Sequence, residues 1–188
     1  MASRDGVPHT PELGFVILDT LQRQSIELLC AKLGIKGLSS ADFDYLTRGW
    51  HSLNPWPDSV AGLTRLKTKF IIGPLSNGNV SLLTNMAKYA GLPWDLVLSA
   101  EVFGHYKPDR EAYLGAAKIL GLAPAEVMLV TAHNNTLAAA QSVVLKYAIV
   151  PPVQEPWPTT GPDFKPRSTR GTGAKGLEST SDQWEVWG

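Results

Sequence analysis

Cysteine is almost absent from this chain: Cys30 stands alone among 188 residues. One thiol cannot build an internal disulfide framework or a cysteine-based zinc cluster. Neither sign of charge is in excess, with 17 Lys and Arg against 17 Asp and Glu and a formal net charge of zero. That balance leaves no electrostatic footprint for nucleic acid or for an anionic membrane surface. Long apolar runs are lacking too. No segment approaches the ~18 apolar residues of a membrane-spanning helix, and the opening Met1-Ala2-Ser3-Arg4 has no apolar signal core behind it. The four histidines, His9, His51, His105 and His133, fall at no metal-ligand spacing, so no metal site is expected. These absences predict a soluble, cytoplasmic protein with neither a nucleic-acid nor a membrane partner.

What is present is a domain and a tail. Residues 151–188 hold 11 of the chain's Pro and Gly residues, a density of low-complexity sequence, and are expected to be poorly ordered. Upstream, the apolar spacing predicts a helix over 13–33, with Leu18, Leu21, Leu28, Leu29 and Leu33 on one face and Gly34 as its stop. Cys30 in that stretch reads as core more readily than as a nucleophile. A second helix starts at Ser39 or Ser40 and runs to about Trp50. After the rigid Asn54-Pro55-Trp56-Pro57 connector, Asp58 is placed to cap a helix through Lys67.

From there the period changes. Apolar runs at 70–75, 96–98, 127–130 and 147–150 read as strands, and 80–90, 109–120 and 136–145 as helices between them. That alternation predicts a parallel sheet in an α/β fold. Residues 1–54 carry helices and no clear strand, as a helical cap would; 55–150 form the α/β core, and Trp50, Trp56 and Trp94 are expected to pack the boundary.

Ligands of open parallel sheets bind beyond the carboxyl ends of the strands. Three polar stretches fall there. Ser76-Asn77-Gly78-Asn79 offers a hydroxyl and backbone N–H groups for an oxyanion, or simply caps for the next helix. Lys107, held between Tyr106 and Pro108, is either a pinned cation for a carboxylate or phosphate, or a solvated surface lysine. His133, two residues past the third strand, is an acid–base candidate or a hydrogen-bonded loop residue.

Taken together these pieces resemble a known family. Trp50-His51-Ser52-Leu53-Asn54-Pro55-Trp56-Pro57-Asp58, Leu75-Ser76-Asn77-Gly78-Asn79, Ala90-Gly91-Leu92-Pro93-Trp94-Asp95, Tyr106-Lys107-Pro108-Asp109 and Ala132-His133-Asn134 occur in the order and spacing of type II L-2-haloacid dehalogenases. The resemblance runs from about residue 14 to 152. It implies a haloacid dehalogenase-like Rossmannoid parallel sheet with a helical cap, and hydrolysis of a 2-haloacid to a 2-hydroxyacid and halide with no metal or cofactor. An Asp carboxylate would displace the halide and water would hydrolyse the resulting ester.

By the resemblance, Ser76 and Asn77 bind the substrate carboxylate, Lys107 balances charge around the nucleophile, and Tyr113 helps order the site. Thr131 stands where the family commonly has Ser, and His133 where Asn or His is found. Two departures follow. No Asp-x-x-Gly-Thr segment supplies the nucleophile, and Thr136 occupies a position where the family has Asp. Asp19, preceded by Phe15-Val16-Ile17-Leu18, reads as part of the first helix instead. The cap is therefore expected as a remnant, with the first catalytic strand missing from the middle of the sheet, leaving edges that favour self-association. The expected partner is a small carboxylic acid, as substrate of a hydrolase or, alternatively, as ligand of a non-catalytic binding protein.

Overall fold

The structure, a computed structural model, describes residues 14–131, 140, 142–143 and 145–149, and the backbone of 172–173. The first two helices pack against each other as a hairpin. Helix α1, Leu18–Lys32, starts later than the apolar spacing suggests. Gly14 adopts a left-handed φ of 68°, and Ile17 is extended, so residues 14–17 run into the helix as a separate segment. Asp19 lies on its first turn. Cys30 is buried as expected, but Leu28, Leu29 and Leu33 are exposed; the buried stripe is not the leucine face. Helix α2, Ser40–Arg48, opens on a capping box, with Ser39 Oγ accepting from Asp42 N–H and the Asp42 carboxylate accepting from Ser39 N–H. A 3-10 turn over Gly49–Ser52 follows. Trp50 and Trp56 are 51% and 42% exposed, so they do not seal a boundary as anticipated.

Helix α3, Ser59–Lys67, begins after Asp58, whose side chain makes no capping hydrogen bond. The predicted strand at 70–75 shrinks to β1, Leu75–Ser76. Its earlier residues bond elsewhere: Ile72 N–H donates to the Asp95 carboxylate at 2.9 Å and Ile72 C=O accepts from Asp95 N–H at 2.8 Å. Pro74 adds no donor, and Phe70 and Ile71 stay exposed. Helix α4, Val80–Ala90, ends at a left-handed Gly91. Strand β2 is Leu98–Ser99 and runs into the short helix α5, Ala100–Phe103. Helix α6, Arg110–Leu120, ends at a left-handed Gly121. Strands β3, Met128–Thr131, and β4, Lys146–Ile149, come close to their expected places. The helix expected at 136–145 lies largely outside the described residues. A two-residue strand, β5, Thr172–Gly173, arises within the Pro/Gly-rich tail.

Among the described residues all pairings are parallel, and the strands divide into two sheets, β1–β2 and β3–β4–β5. One helix serves both. Tyr113 on α6 is fully buried against Leu129 of β3, Val143 and Leu145, with Leu75 of β1 packed on the same cluster. Ala112, Ala116 and Ala117 beside it are at most 2% exposed, so α6 approaches its neighbours closely through small residues. Among the described residues, no helix is long and apolar enough to cross a membrane.

Candidate active site

The site begins where β1 and β2 end together, with Ser76 in register with Ser99. Ser99, fully buried, donates its hydroxyl to the Gly78 carbonyl at 2.6 Å, and Gly78 N–H donates to Ser76 Oγ at 3.0 Å. A Cβ on Gly78 would press to 3.3 Å from both Leu82 and Leu83, so a hydrogen suits this turn best. Ser76 Oγ thus receives one hydrogen bond and keeps its own proton to donate.

Asn77 uses its side chain across 30 residues. Its Oδ1 accepts from Lys107 N–H at 2.7 Å, and its Nδ2 donates to the Lys107 carbonyl at 3.1 Å. This reciprocal pair fastens the Lys107 backbone to the Ser76 turn. The second Nδ2 hydrogen of Asn77 is left over from this pair. Lys107 is half-buried, and burial holds its ammonium below the ordinary lysine range. Before it, Tyr106 is buried, donates its hydroxyl to the Val16 carbonyl at 2.6 Å and stacks on Phe15 at 5.0 Å.

Tyr113 sits deeper. Burial pushes its phenol up, and its hydroxyl has no hydrogen-bond partner among the described residues. Thr131 is the half-buried last residue of β3. The structure therefore joins Asn77 to the Lys107 backbone, with Ser76 next to Asn77 in the chain, and places Tyr113 in the core with Leu75 of β1 packed on the same cluster. His133 and Thr136 lie outside the described residues. Among the described residues, no group of three His, Cys, Asp or Glu side chains is placed to hold a metal ion.

A second polar cluster went unseen in the sequence. Asp19, His51, Asn79 and Asn85 are joined by hydrogen bonds although they come from α1, the 3-10 turn and α4. Separations of 60, 32 and 34 residues leave no local signal; the one available hint was an Asn at the start of α4.

The fold agrees with what the comparisons find. The family model for haloacid dehalogenase-like hydrolases matches residues 16–143, and the chain belongs to that family. Within it, the chain falls among the L-2-haloacid dehalogenases. A crystal structure of one such enzyme matches with a TM-score of 0.86 and 42% identity, over 91% of this chain and 73% of its own. That of a defluorinating L-2-haloacid dehalogenase matches with a TM-score of 0.87 and 43% identity, over 92% of this chain and 71% of its own. The (S)-2-haloacid dehalogenase 4A of Burkholderia cepacia is 35% identical over 100 residues, 52% of this chain and 43% of that protein. The chain spans about half the length of the curated relatives it matches.

Proposed function

We propose that the site serves the hydrolysis of (S)-2-haloacids, in which a 2-haloacid and water give a 2-hydroxyacid, halide and a proton. The observation that carries this reading is the reciprocal Asn77–Lys107 pair, which fastens the backbone of a half-buried lysine to the residue that follows Ser76. A 2-haloacid presents a carboxylate next to its reacting carbon. Ser76 donates its free proton to a carboxylate oxygen, and the Lys107 ammonium supplies charge from a position where water screens it less. Asn77 sets the Lys107 backbone and offers its remaining amide hydrogen. Displacement of halide calls for a carboxylate nucleophile. Asp19 is not assigned that part, because its carboxylate is taken up by His51 and Asn79.

The test follows binding and turnover separately. The full chain is titrated with (S)-2-chloropropionate by calorimetry, and halide release is measured alongside. Lys107→Met and Ser76→Ala are each expected to weaken binding about tenfold or more, the loss of one charge-assisted hydrogen bond. Affinity is expected to fall with rising pH as Lys107 loses its proton, earlier than the ordinary lysine value of 10.5 because its pKa is lowered. Binding unaffected by both substitutions, or rising toward alkaline pH, overturns the assignment.

A further inference from the structure

Asn79 occupies the N-cap position of α4, where an asparagine side chain ordinarily accepts from the first turn of its own helix. Here it makes no capping hydrogen bond. The Glu101 carboxylate takes the Val80 N–H at 2.8 Å in its stead. Freed of the local duty, Asn79 grips α1. Its Oδ1 accepts from Asp19 N–H at 3.2 Å, and its Nδ2 donates to Asp19 Oδ2 at 2.9 Å and to Ser81 Oγ at 2.8 Å.

Asp19 is held from its other side by His51, whose Nε2 lies 3.1 and 3.2 Å from the two carboxylate oxygens. The second ring nitrogen, Nδ1, accepts from Asn85 Nδ2 at 2.9 Å. An amide nitrogen only donates, so the network assigns the imidazole proton to Nε2, pointing at Asp19. His51 is 8% exposed and Asn79 2%, which makes each link costly to leave unmade. The turn carrying Ser76 is therefore fastened at two places two residues apart: Asn77 to Lys107, and Asn79 to Asp19.

We propose that His51 is a positioning residue for the Ser76–Lys107 site, acting through Asp19 and Asn79; this rests on the reading of that site as a carboxylate-binding one. The imidazole fixes the Asp19 carboxylate, Asp19 fixes Asn79, and Asn79 fixes the turn from which Asn77 reaches Lys107. Loss of the N–H toward Asp19 loosens that turn and the register of Lys107 against Ser76.

The test uses the full chain with His51→Ala, His51→Gln and Asn85→Ala. Hydrogen exchange is read at Lys107 N–H, which donates to Asn77, against the interior amides of α6 as a measure of the fold. His51→Ala is expected to speed Lys107 exchange about tenfold relative to α6 and to weaken (S)-2-chloropropionate binding to a similar degree. His51→Gln, which keeps an N–H donor toward Asp19, is expected to return both to within about threefold of the parent. Asn85→Ala, which removes only the outermost link, falls between and carries the test where His51→Ala does not fold.

Equal acceleration at Lys107 and in α6, an unchanged Lys107, or no rescue by glutamine overturns the proposal. Failure of the parent chain to bind (S)-2-chloropropionate overturns the functional reading alone, since the exchange pattern at Lys107 still decides the positioning role.

Discussion

The α1–α2 hairpin and the strand-bearing region from β1 to β4 are held by opposite means. In the hairpin, Arg23 joins Glu27, Asp44 and Ser40 and lies 5.8 Å from the centre of the Phe43 ring, while Leu28, Leu29 and Leu33 face outward. In the strand-bearing region, Tyr113, Leu129, Val143 and Leu145 close an apolar core with few polar atoms inside it. Surface ion pairs contribute little to stability, whereas each buried aliphatic side chain contributes about 2 kcal/mol. The difference teaches that one region supplies stability and the other is placed by directional bonds. The seam between them is polar: Asp19 with His51 and Asn79, and the Val16 carbonyl with Tyr106.

That contrast can be broken most severely in the core. Leu129→Ala is expected to cost about 2–5 kcal/mol, read as a lowered denaturant midpoint at unchanged slope. A loss under about 1 kcal/mol would mean that Leu129 is not part of a close-packed core. Tyr113→Phe sharpens the comparison from within, because it removes the buried hydroxyl that has no partner among the described residues. Stability is expected to rise by up to about 1 kcal/mol. A fall in stability instead would reveal a partner for the hydroxyl. The smallest effect belongs to the hairpin. Leu28→Ser, at a position 72% exposed, is expected to change stability by no more than about 0.5 kcal/mol in thermal or urea melts.

The helices were legible because their stops are chemical. Gly91 and Gly121 sit at left-handed C-caps where the sequence placed the ends of α4 and α6, and Ser39 caps α2. The strands were legible as apolar runs but not in their length. Within the Phe70–Leu75 run, Ile72 gave both its backbone N–H and its C=O to Asp95, a partner 23 residues away that no local pattern announces. The leucine face of α1 was misjudged for a related reason: periodicity shows that a face exists, not that a neighbour covers it. At the candidate site, Ser76 stands at the end of an apolar strand, and Lys107 stands just before α6, both readable from the sequence. That Asn77 also braces the Lys107 backbone has no local signal, since the two residues lie 30 apart in the chain. The Asp19–His51–Asn79 cluster escaped altogether, because its members meet only once the chain is folded.

Helix α6 has a consequence for how the molecule comes apart. Leu75 from one sheet packs on the same apolar cluster that holds Leu129 from the other sheet and the Tyr113 ring. Peeling away either sheet would strip that ring and expose the helix on which the remaining sheet depends. The two sheets are therefore expected to melt in a single transition, and the site at the ends of β1 and β2 to be lost with them.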